Sequence, residues 1–125
     1  MTMDTKSLQD IGLTEGETKV YLALLRLGQT KTGELAKKAE VSSSKVYKIL
    51  DRLEKKGLAG HIIKSKVKYY NSMEPNRILE YIEEKQAQLE EKKEMVKKIL
   101  PELEIERQLA GAKTEAVIYD GLKAI

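Results

Sequence analysis

Cysteine is absent from the sequence of 125 residues, and histidine occurs only once, at His61. Without cysteine, neither disulfide bonds nor thiolate metal sites can form, so no feature indicates an oxidising compartment. His61 has no second histidine or cysteine beside it with which to bind a metal, and a structural or half-exposed side chain is expected there. We therefore expect no metal ion and no cofactor.

Long apolar runs and catalytic motifs are also missing. No stretch approaches the roughly 20 apolar residues that a membrane-spanning helix needs. The first ten residues, MTMDTKSLQD, lack the basic and apolar regions of a secretory signal. There is neither a phosphate-binding glycine loop nor a Gly-x-Ser-x-Gly nucleophile motif. These absences predict a cytoplasmic protein that is not an enzyme and has no membrane partner.

Positive charge, by contrast, is concentrated in one part of the chain. Residues 42–73 hold eight Lys/Arg against two Asp/Glu, a net charge of +6. Residues 1–41 are balanced, and residues 74–125 carry a net charge of −3. A solvated face is the ordinary explanation of a charged stretch, and a surface that attracts nucleic acid is the alternative.

Three short helices are predicted before and within the basic stretch. A Thr-x-x-Glu capping box starts the first helix at Thr14, and Gly28 ends it. A second helix covers residues 33–38, and Thr30-Lys31-Thr32 before it is a polar connector that could hold a very short strand or an N-cap. Ser42 caps the third helix, which stops at Gly57.

The third helix, in the segment SSSKVYKILDRLEKKGL, has two different faces. Apolar residues recur at helical spacing and predict a side that packs on a core: Val46, Ile49, Leu50 and Leu53. The opposite side is polar and basic: Ser44, Lys45, Lys48, Arg52 and Lys55. A helix of this kind after a tight turn predicts a helix-turn-helix, whose basic side fits a DNA major groove.

A β-hairpin and a long charged helix follow. Residues 58–63 and 67–72 are rich in β-branched residues and tyrosine, with the basic tip Lys64-Ser65-Lys66 between them. The hairpin completes a winged helix over residues 1–74. Residues 75–110 read as a coiled-coil helix whose a positions are all apolar and whose d positions are apolar only in part. Pro101 interrupts this helix and predicts a kink or a restart.

The segment from Ile11 to Pro75 closely resembles the DNA-binding region of the TrmB-like archaeal transcription regulators. The resemblance rests on the pieces VYLALL, GELAKKA and KVYKILDRLEKKGL, and on the spacing from Tyr70 to Pro75. It implies a homodimeric regulator with a winged-helix reader and a coiled-coil linker. The recognition helix would be residues 42–56 and the wing residues 59–72. Larger members carry a further sugar-binding domain. Residues 111–125 form a tail that resembles the start of such a domain, and within it EAVIYDGLKAI, residues 115–125, looks like the first strand and turn.

These arguments give two sets of candidate residues. The candidates for DNA contact are Ser43, Ser44, Lys45, Tyr47, Lys48, Arg52, Lys64, Lys66 and Lys68. The candidates for the homodimer interface are Ile78, Ile82, Leu89, Val96, Ile99 and Leu103. Tyr47 lies on the flank of its helix, where packing against the domain and contact with DNA are both open.

The expected partners are double-stranded DNA and a second copy of the chain. No small-molecule effector is expected for this chain, because the residues that would bind sugar in the larger members are absent from it. The predicted function is sequence-specific regulation of transcription. Two alternatives stay open: a sequence-independent architectural DNA-binding protein, and a winged-helix adaptor that binds other proteins.

Overall fold

The computed structural model describes the backbone of residues 5–123 and the side chains of residues 5–112. The elements along the chain are α1 (Lys6–Asp10), α2 (Glu15–Leu27), α3 (Thr32–Ala39), α4 (Ser43–Lys55), β1 (Ala59–Lys64), β2 (Val67–Ser72) and α5 (Arg77–Lys123). This order confirms the predicted fold, mainly α with one β-hairpin, a winged helix-turn-helix followed by a long helix. The short helix α1 was not predicted.

The capping residues explain where α2 and α4 begin. The Thr14 side chain accepts a hydrogen bond from the Glu17 backbone N–H, and the Glu17 carboxylate accepts one from the Thr14 N–H. The Ser42 hydroxyl likewise accepts a hydrogen bond from the Lys45 N–H at 3.3 Å. Both caps satisfy N–H groups that the first helical turn leaves unpaired, as the sequence predicted.

A tight turn joins α3 to α4. Glu40 ends α3 in the left-handed conformation, with φ at 57°. The Val41 N–H then donates to the Ala36 carbonyl at 3.0 Å, which reverses the chain within two residues. The short turn brings Ser42 into position to cap α4, and the pair forms the predicted helix-turn-helix.

One apolar core holds these helices together. Its most deeply buried side chains come from α2, α3 and α4: Val20, Leu24, Leu35, Leu50 and Leu53. Tyr81, in the first turns of α5, is also part of this core, and Ile78 packs against it. The compact N-terminal unit therefore continues to Glu84 rather than ending at the predicted boundary of residue 74.

The wing is an antiparallel pair in which Ala59 faces Ser72 and Lys64 faces Val67. Ser65 and Lys66 make the turn, both with positive φ (50° and 66°), as a two-residue hairpin turn with a right-handed twist requires. Thr30 forms an isolated bridge with Tyr70, with N–H···O distances of 2.9 and 2.7 Å. The predicted very short strand at residues 30–32 is therefore reduced to a single residue.

The second unit begins at Lys85 and consists of the rest of α5. The helix passes through Pro101, so the predicted restart there is wrong, while a bend at Pro101 stays a prediction. The predicted strand near Glu115 is also wrong, because the backbone is helical to Lys123. A lone strand would leave its backbone groups unpaired, whereas a helix satisfies them within the segment. Ala124 and Ile125, the last two residues of the predicted tail, lie outside the described residues.

Candidate nucleic-acid interface

The outer side of α4 is polar, exposed and positively charged. Ser43, Ser44, Lys45, Lys48 and Arg52 are all exposed, while the four apolar residues predicted for the inner side are buried. The Ser42 and Ser44 hydroxyl oxygens lie 3.2 Å apart, so Ser44 joins the cap rather than standing apart from it. A helix with a small polar first turn and an exposed basic side can approach a duplex closely.

Three of the cations on α4 share an open groove with the start of α2. The groove is lined by Thr14, Gly16, Lys45, Lys48, Ile49 and Arg52. A Cβ atom at Gly16 would lie 3.0 Å from Cδ1 of Ile49, so glycine lets the two helices pack closely. Among the described residues, none of the three cations forms an ion pair, and all are available to an anionic ligand.

The other two lysines at the end of α4 have carboxylate partners within the chain. Lys55 lies 3.0 Å from Asp51, and both side chains are exposed. The Lys56 ammonium contacts the carboxylate of Glu17, which is only 1% exposed. The basic stretch therefore presents less free charge to a ligand than its sequence indicates.

Tyr47 contacts the domain through its hydroxyl and leaves much of its ring exposed, so contact with DNA stays a prediction. Its side chain is 56% exposed, and its hydroxyl lies 3.1 Å from the Thr32 hydroxyl at the start of α3. The hydrogen bond fixes one edge of the ring to the neighbouring helix, and the rest of the ring faces outward. Thr32 was not among the predicted site residues, because a contact across fifteen positions has no local signal in the sequence.

The wing tip presents Lys64 and Lys66 to the outside, as predicted. Lys64 reaches the Gln29 side-chain oxygen at 3.5 Å, so only a weak contact holds it. Lys66, in the turn, is exposed and forms no ion pair with the described residues. Exposed lysines without a carboxylate partner are suited to contacts with backbone phosphates, which carry no sequence information.

Lys68 is oriented within the wing rather than at its tip. Its ammonium lies 5.3 Å from the centre of the Tyr70 ring, and the interaction with Tyr70 raises the pKa of Lys68. His61 lies across the hairpin from Tyr70, and its Nδ1 atom is 2.9 Å from a carboxylate oxygen of Glu54 on α4. These contacts join the wing to α4, and they are consistent with the structural side chain predicted for His61.

The second unit is exposed along the whole of its described length. Every residue from 85 to 112 is exposed, including four predicted interface residues: Leu89, Val96, Ile99 and Leu103. Further large apolar side chains are exposed beside them: Met95, Leu100, Ile105 and Leu109. The other two predicted interface residues differ from these: Ile78 packs on the core of the first unit, and Ile82 is partly buried.

Neither a metal centre nor a membrane segment is found in the part of the chain that the structure describes. No group of three or more His, Asp or Glu side chains there is placed to hold a metal ion. No helix among residues 5–123 combines the length and the apolar character that crossing a bilayer requires.

The family model described as sugar-specific transcriptional regulator TrmB matches residues 8–76. The HTH-type sugar-sensing transcriptional regulator TrmBL1 of Pyrococcus furiosus is 33% identical over 79 residues, 63% of this chain and 23% of that protein. The DNA-binding HTH-type transcriptional repressor TrmBL2 of Thermococcus kodakarensis is 40% identical over 88 residues, 70% of this chain and 33% of that protein. The chain thus spans about a quarter to a third of the length of these relatives.

Solved structures agree with this relationship. TrmBL2, described as an archaeal chromatin protein with a novel mode of DNA binding, superposes with a TM-score of 0.70 at 33% identity, covering 79% of this chain and 40% of that one. A MarR-family regulator from Silicibacter pomeroyi, at 18% identity and a TM-score of 0.52 over 73% of this chain and 75% of that one, shares the fold alone. The relatives are transcription regulators and not enzymes. The chain belongs to the TrmB family of transcriptional regulators.

Proposed function

We propose that the protein is a homodimeric, sequence-specific DNA-binding regulator of transcription that acts in the cytoplasm. The observation that supports this most is the outer side of α4, where Lys45, Lys48 and Arg52 are exposed without a carboxylate partner among the described residues. A short α-helix with such a side matches the width and the negative potential of a major groove.

In this proposal, α4 and the wing contact different parts of the DNA. Ser44 and Lys48, near the start of α4, contact base edges, and Ser43, Lys45, Tyr47 and Arg52 contact the flanking backbone or bases. Lys64, Lys66 and Lys68 on the wing contact phosphates. Base contacts supply specificity, and phosphate contacts supply register and most of the salt-dependent affinity.

Dimerisation through α5 would place two winged helices, one from each protomer, on one duplex. The exposed apolar residues between 85 and 112 form no contacts of their own with a core, and a second copy of the same helix is the partner that the heptad pattern fits. A twofold dimer requires a roughly palindromic site with half-sites one helical turn apart or a multiple of it. For these 125 residues we propose DNA and a second copy as partners, and no small-molecule effector.

Architectural DNA binding is a second candidate, and one comparison favours it. TrmBL2, which shares 33% identity with this chain over 79% of its length, is described as a chromatin protein. A protein of that kind would use the same cations on phosphates along the duplex without reading bases. The adaptor alternative would leave the exposed cations of α4 without a polyanionic partner.

Selection from a pool of random duplexes separates these candidates. The full chain is used to enrich binding sites, and its affinity is then measured for the enriched site and for a scrambled duplex of equal composition. A sequence-specific regulator should prefer the enriched site by about 1,000-fold or more at physiological salt. Equal affinity for both duplexes would establish the architectural candidate. Absence of binding to either duplex would leave the adaptor.

A further inference from the structure

One buried charge pair joins the recognition helix to the start of α2. The Glu17 carboxylate, 1% exposed in the first turn of α2, contacts the ammonium of Lys56, whose side chain is 19% exposed. Burying a carboxylate is costly unless it is paired and hydrogen-bonded. Glu17 meets both conditions: Lys56 pairs with one carboxylate oxygen, and the other oxygen accepts a hydrogen bond from the Thr14 N–H at 3.4 Å.

Lys56 stands at the C-terminal end of α4 and faces inward rather than toward a ligand. Its backbone N–H donates to the Arg52 carbonyl at 3.1 Å, which completes the last turn of the helix. Gly57 follows with φ at 77°, a conformation that ends the helix and turns the chain away. Lys56 belongs to the basic stretch by sequence, yet it points to Glu17 and not to the exposed side of α4.

Tyr81 brings α5 into the same cluster. Its side chain is 5% exposed, and the Lys56 ammonium lies 5.9 Å from the centre of its ring, within the range of a cation–π contact. The Tyr81 hydroxyl lies 3.2 Å from where a Cβ atom of Gly12 would stand, so the ring is closely packed against the segment before α2. All three side chains belong to the compact unit that ends at Glu84.

We propose that Lys56 is a positioning residue for DNA recognition: held by Glu17 and Tyr81, it fixes the orientation of α4 relative to the first turns of α5. The proposal rests on the proposed function, in which α4 reads bases and α5 carries the dimer interface. In a twofold dimer, the angle between the reading helix and the dimer helix sets the distance and phase between half-sites. The cluster therefore selects the spacing of the binding site without touching DNA.

A distance measurement tests the orientation directly, without DNA. The absence of cysteine allows spin labels at two exposed positions, S43C on α4 and E83C on α5. The doubly labelled chain is diluted into excess unlabelled chain so that only distances within one protomer are recorded. We expect one narrow distance distribution in the parent and a broad or shifted one in Lys56→Met and Tyr81→Leu. Lys55→Met, which removes a neighbouring exposed ammonium, should leave the distribution unchanged.

A second variant keeps this test decisive if Lys56→Met does not fold. Combining Glu17→Gln with Lys56→Met removes both charges and keeps similar side-chain volume, a type of change that buried ion pairs often tolerate. The double variant should fold and still show the broadened distribution. A folded variant with the narrow distribution of the parent would overturn the proposal.

Binding to DNA then tests the consequence for recognition. Affinities are measured for the enriched palindrome, for versions with the half-sites moved by one base pair in either direction, and for an isolated half-site. The parent should prefer its own spacing by about tenfold or more, and the double variant should reduce that preference to about twofold with unchanged half-site affinity. A lower salt dependence of binding by the folded variant would instead identify Lys56 as a phosphate contact and overturn the proposal. If the parent itself showed no spacing preference, the proposed dimeric reader would be wrong, whereas the label distances would still decide the role of Lys56.

Discussion

The two units of the chain treat their apolar residues in opposite ways. The unit that ends at Glu84 buries them around Leu24, Leu50 and Leu53, each fully inaccessible to solvent. The unit that begins at Lys85 leaves Leu89, Val96 and their neighbours exposed, with no residue from 85 to 112 buried. The first unit therefore has a core of its own, whereas in the proposed dimer the second unit would gain its stability from a partner helix.

Both units also carry ion pairs, and they differ in where their cations without carboxylate partners lie. The first unit keeps cations on the outer side of α4 and at the wing tip without carboxylate partners among the described residues. The second unit has two ion pairs among its described residues, Lys97 with Glu94 at 3.1 Å and Arg107 with Glu104, beside an exposed apolar surface. A surface of cations without carboxylate partners suits a polyanion, and an exposed apolar surface along a helix suits another helix.

Truncating one apolar residue in each unit, buried in the first and exposed in the second, should show the largest difference. Leu53→Ala removes a fully buried side chain, and we expect it to lower the free energy of unfolding by about 2–5 kcal/mol. Leu89→Ala removes a side chain that is 64% exposed within the protomer, so it should hardly change the stability of the first unit. Urea denaturation, followed by the tyrosine signal of the first unit at several protein concentrations, provides the measurement.

Varying the protein concentration distinguishes packing within one protomer from packing between protomers. The destabilisation caused by Leu53→Ala should be the same at every protein concentration, because it concerns packing within one protomer. Any destabilisation caused by Leu89→Ala should be absent at concentrations where the parent is monomeric and should grow toward a plateau as the dimer forms, because only the dimer contains the lost contact. A concentration-independent decrease of several kcal/mol for Leu89→Ala would show that this residue packs within its own protomer.

A charge in the apolar stripe should break the homodimer. Counting heptads with Ile82 at position a places Leu89 and Val96 at a positions. Val96→Asp would put a carboxylate into the proposed dimer interface, and we expect it to make dimerisation less favourable by about 3 kcal/mol or more, because that charge is buried without a partner. Sedimentation equilibrium should show monomer for this variant at concentrations where the parent is dimeric. Lys98→Asp, on the flank of the same helix turn, is the matched control and should remain dimeric.

Fragments of the chain test whether the dimer interface lies outside the first unit. Residues 1–84 should form a folded monomer, because Tyr81 and Ile78 are retained with the core. A fragment of residues 1–74 lacks both and should unfold at a lower urea concentration. A dimeric 1–84 fragment would show that the interface lies within the first unit.

Local features of this fold could be predicted from the sequence, and contacts between distant residues could not. The caps at Thr14 and Ser42 and the two faces of α4 follow from spacings of three and four residues, and the structure confirms them. The pair Glu17–Lys56 joins residues 39 positions apart, and nothing in the local pattern distinguishes Lys56 from the exposed Lys55 beside it. Only the folded chain brings the two partners together.

The errors in α5 have a similar origin. The segment EAVIYDGL contains a short apolar run, which fits a strand as well as a helix when no neighbouring strand is known. Pro101 removes one backbone hydrogen bond, but the residues around it are strong helix formers and the helix continues. Local propensity alone could not decide either case.

Within the first unit, base contact and phosphate contact should be separable. Lys48→Ala and Ser44→Ala should each weaken binding to the enriched site by about 1–3 kcal/mol and binding to a scrambled duplex much less. The physical reason is that a hydrogen bond to a base edge exists only on the correct sequence. The measurement is a titration of both duplexes at fixed salt, with Lys37→Ala on the exposed side of α3 as a control. Equal weakening on the two duplexes for Lys48→Ala would show that α4 does not read bases, and the protein would then be architectural.

The smallest expected effect belongs to the wing tip. Lys64→Ala and Lys66→Ala should weaken binding to all duplexes alike, because phosphates are the same on every sequence. Each change should also lower the slope of log affinity against log salt by about one for every phosphate that a protomer no longer neutralises. A salt series on the enriched and scrambled duplexes measures both quantities at once. Weakening restricted to the enriched site would mean that the wing contacts base edges. The proposed assignment of base contacts to α4 and phosphate contacts to the wing would then be wrong.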